Sequence, residues 1–259
     1  MRSVAAPLLL LLLMASFRYG GSYATQHRDS IDAPPCWRFP LGTDDLGRDR
    51  LVRLFDATRI SLLFAGAAAM GATLLAAFAG GVAGYAGGWF DQFVVRAIDL
   101  LLSLPSLFLL LATRAMMPLN ASPVFSLVVT YALMSVLGWL TPARVIRASV
   151  RSSRQSEYVL QARAEGCPEG RILLRHILPN LRPILLAQFW TSIPVFILTE
   201  ASLGFLGLSA GEPFPTWGSL LHELQNPLLA RPEAFAPIVA IALFVSYFKT
   251  ITPWKGSQA

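Results

Sequence analysis

Charge is what this 259-residue chain has least of: Asp, Glu, Lys and Arg make up 14% of it, where a soluble globular chain is about a quarter charged. Set against 54% hydrophobic residues and a mean hydropathy of +0.55, that scarcity excludes an ordinary soluble domain. It also excludes a disordered chain, which is polar and poor in aromatics. Lysine is nearly missing, with only Lys249 and Lys255 among the 21 basic residues. The arginines make no basic stripe interleaved with aromatics, so no nucleic-acid partner is expected. Two cysteines, Cys36 and Cys167, allow neither a disulfide framework nor a four-thiolate zinc site. Three scattered histidines form no HExxH. No GxxxxGK[ST] occurs, so the chain cannot cradle ATP in the P-loop way. No metal, cofactor or catalytic residue is expected.

What the chain has in place of charge is long uncharged intervals. A helix crossing a bilayer needs about 20 apolar residues, and charges are costly at the bilayer centre. The gaps between charges place spans at about 4–23, 62–86, 97–115, 122–142, 183–207 and 234–250. The expected fold class is all-α: a polytopic membrane protein of about six transmembrane helices, one domain over 1–259. The first interval has a second reading. Arg2, the Leu8–Met14 run and small Ala15 and Ser16 also fit a signal peptide, which would leave five spans.

The loops set orientation. Pro142–Arg182 carries eight Arg against three Glu, which the positive-inside rule assigns to the cytoplasm. Within it, Ser153 and Ser156 can cap a helix and Glu157 suits its first turn. Gly166 suits a left-handed helix end, Pro168 a new first turn, and Pro179 a stop or kink. The expected product is a helix–Gly–helix elbow over 143–182, docking a soluble partner or lying on anionic lipid.

The residues of this elbow resemble the EAA loop of bacterial ABC-importer permeases. Glu157-Tyr-Val-Leu-Gln-Ala-Arg-Ala-Glu-Gly166 is followed by Arg171-Ile-Leu-Leu-Arg-His-Ile-Leu-Pro-Asn180. Gly166 and Leu178-Pro179 keep the family spacing, while the EAA triplet is degenerate as Leu160-Gln161-Ala162. Four more segments resemble the C-type permease of dipeptide, oligopeptide and nickel importers. They are Pro40–Asp49 with Thr58–Leu62, Gly84–Trp89 with Arg96 and Asp99, Glu200–Gly207, and Pro215–Gly218.

The resemblance implies a type I importer permease fold in the bacterial inner membrane. Its implied partners are a second permease, two ATP-binding subunits and an extracytoplasmic solute-binding protein. The elbow would couple ATPase closure to the path through Glu157, Ala162, Arg163, Ala164, Gly166, Arg171, Leu178 and Pro179. Small Ala162 and Ala164 would permit close approach, and the Pro- and Trp-bearing outer loops would face the binding protein. At its end the chain departs from the family. Members carry a Gly-Asp-x-Leu-Arg-Asp segment where this chain reads Tyr247–Ala259, the feature on which a non-transporting scaffold reading rests. A secondary transporter is a third reading, which leaves the elbow without a task.

Three other signals stand in the sequence. Gly207-Leu-Ser-Ala-Gly211 spells the GxSxG of serine hydrolases, but a span rather than a strand precedes it. Gly80, Gly84 and Gly88 are spaced for close helix packing. Arg114 and Glu200 interrupt apolar stretches. Arg114 fits a snorkelling span end, and Glu200 either faces the translocation path or holds a helix contact.

Overall fold

The computed structural model describes residues 23–118, 121–208, 214–225 and 232–251, with side chains described to Phe248. The first expected span up to Ser22, Ser209–Gly211 of the GxSxG pattern and the tail beyond Ile251 lie outside the described residues. Among the described residues the structure is helical, with one isolated bridge between Thr43 and Asp49 and no strand. The helices are α1 (Arg50–Ala86), α2 (Gly88–Ser103), α3 (Ser106–Ala115), α4 (Pro123–Gly138) and α5 (Leu140–Ser153). Then come α6 (Glu157–Ala164), α7 (Arg182–Leu203), α8 (Trp217–Glu223) and α9 (Ala236–Ile251).

Three helical runs are long and apolar enough to cross a membrane: Arg50–Ala86, Pro123–Ser153 and Glu169–Leu208. At 1.5 Å per residue α1 is about 55 Å long, more than the roughly 30 Å hydrocarbon core, so part of it stands outside. Its charges, Arg50, Arg53, Asp56 and Arg59, sit in its first three turns, and nothing charged follows. The stretch expected as one span over 97–115 is two helices, α2 and α3, bent by 71°. Pro105 is the cause. The residue before a proline is pushed out of the helical region, and Leu104 is extended at φ −89, ψ 130. A shorter apolar helical stretch covers Pro232–Phe248.

The chain divides into two compact units. One comprises Gly66–Ala112 and Ala132–Ser192; the other comprises Met1–Ala65, Thr113–Tyr131 and Ile193–Ala259. The core of the first unit gathers Ala76 and Ile98 with Leu140, Ala143, Ile146 and Val150 of α5, Val159 and Ala162 of α6, and Ile172, Ile177 and Leu181. The four α5 residues recur at helical spacing and face inward together. Gly80 and Gly84 let α1 meet α5 backbone to backbone. A Cβ at either would lie 2.5 Å from a carbonyl oxygen, that of Ala143 or of Arg147 respectively. Gly88 belongs to a different feature, since it and Gly87 take positive φ (60 and 68) to turn α1 into α2. Arg147 then grips Asp91 on α2 through two bonds, Nε to Oδ1 and Nη2 to Oδ2, the second 2.5 Å long.

In the other unit the segment before α1 folds around Asp44. Its carboxylate accepts from the amides of Leu46 (3.0 Å) and Arg48 (2.7 Å), from Arg48 Nε (2.7 Å) and from Arg53 Nη1 (2.6 Å). These four donors satisfy a carboxylate that is 1% exposed. The Asp49 side chain caps α1, accepting from Leu51 N at 2.8 Å.

Candidate coupling elbow and the buried cluster around Glu200

The Gly166 bend is a complete Schellman turn. The Gly166 amide donates to the Arg163 carbonyl at 3.0 Å and the Cys167 amide to Ala162 at 3.1 Å. Gly166 has φ +79, and nothing lies within 4 Å of where its Cβ would be. Ser156 occupies the N-cap of α6, yet its hydroxyl turns back to the Ser153 carbonyl instead of capping. Pro168 sits at the N-cap rather than at the first helical position, and its carbonyl accepts from Arg171 at 2.9 Å.

Beyond the bend the helix does not stop at Pro179. It widens to a π-helix over Ile172–Ile177 and tightens to a 3-10 turn over Leu178–Leu181 before α7. Pro179 has no N–H for the carbonyl four residues back, and its ring crowds that carbonyl. Changing the hydrogen-bond register absorbs both problems without a break.

The elbow is bolted to the end of α1. Arg163 on α6 pairs with Glu169 across the bend, Nε to Oε1 at 3.1 Å. The Tyr85 hydroxyl donates to the same Glu169 carboxylate. The Arg154 guanidinium lies over the Tyr85 ring, 5.4 Å from its centroid. Leu178 packs over Gly81, whose Cβ would lie 3.5 Å from Leu178 Cδ2. We expect Glu169→Gln to loosen the elbow without unfolding the unit. Protease cleavage near Gly166 should rise a few-fold, while the thermal midpoint moves little, because such exposed pairs contribute about 1 kcal/mol or less.

Of the residues expected on the coupling face, Glu157, Ala164, Gly166 and Arg171 are exposed. Ala162 is 4% exposed and belongs to the chain's own core, so close approach from outside falls to Ala164 alone. Arg163 and Leu178 are half-buried in contacts within the chain, and Pro179 is half-buried. Exposed Leu160 and Leu174 were missed by sequence reading; Leu160 stands four residues before Ala164 and shares its face. Asp91, Arg147 and Tyr85 were missed as well, because pairs 56 and 84 residues apart leave no periodic signal.

Glu200 on α7 is 2% exposed. It accepts from the Gly218 amide of α8 at 3.3 Å and lies in the field of Arg114. Trp217 beside it is wholly buried, its backbone N on Ser61 Oγ at 3.2 Å and its Nε1 on Thr58 Oγ1 at 3.1 Å. Trp217 is therefore no outward-facing contact; it is the keystone of this unit's packing. His222 is committed to the Phe205 carbonyl at 3.2 Å, and Ser209 of the GxSxG pattern lies outside the described residues. Among the described residues no group of three metal-ligating side chains forms.

At the end of α8, Glu223 meets Arg53 at 2.7 Å. Burial raises the Glu223 carboxyl above its ordinary 4.5, with Asp44 adding to the rise and Arg53 opposing it. A raised acid binds its proton more tightly folded than unfolded. Stability therefore falls as pH climbs from 4.5 through the raised value, then levels. Glu223→Gln should flatten that slope, measured as the thermal midpoint in detergent across that window. An unchanged slope would mean that Glu223 is not its source.

Comparison with known proteins shows what this arrangement belongs to. Residues 72–254 match the family of the binding-protein-dependent transport system inner membrane component. The chain is 34% identical over 250 residues to the oligopeptide transport system permease protein OppC of Bacillus subtilis (strain 168), covering 94% of this chain and 79% of that one. It is 32% identical over 244 residues to the dipeptide transport system permease protein DppC of Alkalihalophilus pseudofirmus, covering 94% and 78%. It is 34% identical over 256 residues to the glutathione transport system permease protein GsiD of Pectobacterium atrosepticum, covering 96% and 83%. Such permeases are transport subunits, not enzymes, and work with ATPase and binding-protein components. The chain belongs to the binding-protein-dependent transport system inner membrane component family and is a multi-pass, all-helical permease of the bacterial inner membrane, of the ABC-importer kind.

Proposed function

We propose that this permease carries peptides, driven by ATP hydrolysed on two partner subunits and supplied by an extracytoplasmic solute-binding protein, beside a second permease. The peptide class rests on relatives named for oligopeptides, dipeptides and glutathione. Energy reaches the path through the Gly166 elbow. One observation carries this reading: a Schellman-closed bend, tied to the end of α1 and packed with α5 in one core, leaves Glu157, Leu160, Ala164, Gly166 and Arg171 exposed. A push on such a bend displaces the ends of helices rather than flexing a loop. The reading keeps 143–182 in the cytoplasm, the span boundaries given above, and six spans.

The test is co-purification. Tagged chain, expressed with the second permease and candidate ATPases, should retain both ATPases in mild detergent. In proteoliposomes with a peptide-loaded binding protein, ATP hydrolysis should rise above its unstimulated level. A chain that sits stably in the membrane and retains no ATPase would favour a scaffold or a secondary transporter instead. Retention with stimulation by nickel but not by peptides would replace the substrate class alone.

A further inference from the structure

Helix α8 is held at both ends. At its start Thr216 and Ser219 form a reciprocal capping box. Trp217 is sunk against Thr58 and Ser61 of α1, and its ring packs edge-on to Phe244 of α9, centroids 5.4 Å apart. Gly218 is pressed onto α7, where its Cβ would lie 2.7 Å from the Glu200 carbonyl oxygen and 2.8 Å from Gly204 Cα. At the other end His222 and Gln225 both reach the Phe205 carbonyl, and Glu223 reaches Arg53. The Phe205 carbonyl is available because α7 runs out into a π-turn over Gly204–Leu208, with Gly207 at φ +78.

A carboxylate in a span is costly. The position of Glu200 accounts for its presence: the first amides of α8 have no partner within their own helix, and Glu200 supplies one at Gly218.

We propose that α8 is a static wall of the outer half of this permease, and that Glu200 is a positioning residue that pins it there. Glu200 does not touch cargo. The motion of the transport cycle is taken up by other elements while α8 keeps its place on α1 and α7. The place of α8 in the outer half and in a transport cycle rests on the transport reading above; the pinning is a property of the chain itself.

The test uses a buried thiol as reporter. Leu220 is 6% exposed, so Leu220→Cys, with Cys36 and Cys167 changed to Ser, places a thiol that reagents reach only when α8 lifts. The first arm uses the chain alone in nanodiscs. Glu200→Gln keeps an oxygen for the Gly218 amide but not its charge, and should label more slowly than Glu200→Ala. Glu200→Ala should label at least about tenfold faster, as expected for a lost hydrogen bond to a charged group. Gly204→Ala, which wedges the backbones apart without touching the carboxylate, should also speed labelling and guards against misfolding of the alanine variant. Equal rates in all four chains, or Glu200→Gln as fast as Glu200→Ala, would overturn the pin.

The second arm uses the assembled complex with ATPases, comparing nucleotide-free and ATP–vanadate-trapped states. Unchanged labelling supports the static wall, and a tenfold rise on trapping overturns it. Failure to assemble would count against the proposed function, while the first arm still decides the pin.

Discussion

Gly84→Leu is expected to cost the chain at least about 2–3 kcal/mol, read as a drop in the thermal midpoint and a loss of monodisperse protein in detergent. The neighbour that a side chain at 84 meets is the Arg147 carbonyl oxygen, 2.5 Å from the Cβ position, with Arg147 Cα at 3.1 Å. Backbone atoms inside a helix cannot swing aside as a side-chain tip can, so α1 and α5 must part. Parting them pulls Arg147 from Asp91, leaving a nearly buried carboxylate short of its counter-charge. Gly80 repeats the contact one turn earlier on Ala143, so the interface has no slack with which to tilt. Gly66→Leu is the control on the same helix, since nothing lies within 4 Å of its Cβ position. Equal damage from both substitutions would show that the interface is not the cause.

Gly166→Trp is expected to leave the chain inserted and folded yet to uncouple it. Substrate-stimulated ATP hydrolysis should fall at least about tenfold, equivalent to about 1.4 kcal/mol. Two effects act together. A side chain at φ +79 strains the backbone by roughly 1–2 kcal/mol, which loosens the Schellman turn. A large ring there also fills the open space that the proposed ATPase contact would use. Gly166→Asn separates the two, because asparagine tolerates the left-handed region and is small. It should retain most coupling. A tryptophan variant with undiminished stimulation would remove the elbow from the mechanism.

The elbow was legible because its signals are local. Gly166, Pro168 and the acidic first turns each act on their own few residues, and the bend formed where they stand. The long run of α1 was legible from the lack of charge after Arg59, although its true start at Arg50 was not, since charged turns outside a bilayer look the same as loop. Pro179 was read as a stop or kink and instead became a change of helical register, because the neighbouring turns could redistribute the loss of one hydrogen bond. The bend between α2 and α3 hung on Pro105 within an uncharged interval that read as one span. For Glu200 the sequence left open a place on the translocation path or a helix contact, and which group it contacts was not legible. Its partner is a backbone amide on a glycine 18 residues away, and a backbone partner has no side-chain signature to find.

The open space around Gly166 has a consequence in terms of handedness. A residue that needs positive φ and meets no obstacle is an achiral stand-in for a D-amino acid. D-alanine at 166 would sit in its natural half of backbone space, restrict the unfolded chain, and stabilise the bend by about 0.4–1 kcal/mol, whereas L-alanine would strain it. The two differ only as mirror images and are equal in volume, charge and polarity. Gly166 followed by Cys167 is also a junction that thioester ligation can join, so the mirror-image pair is within reach of semisynthesis. Between these two residues only handedness differs, so the elbow's resistance to being pushed can be tuned in either direction at constant size.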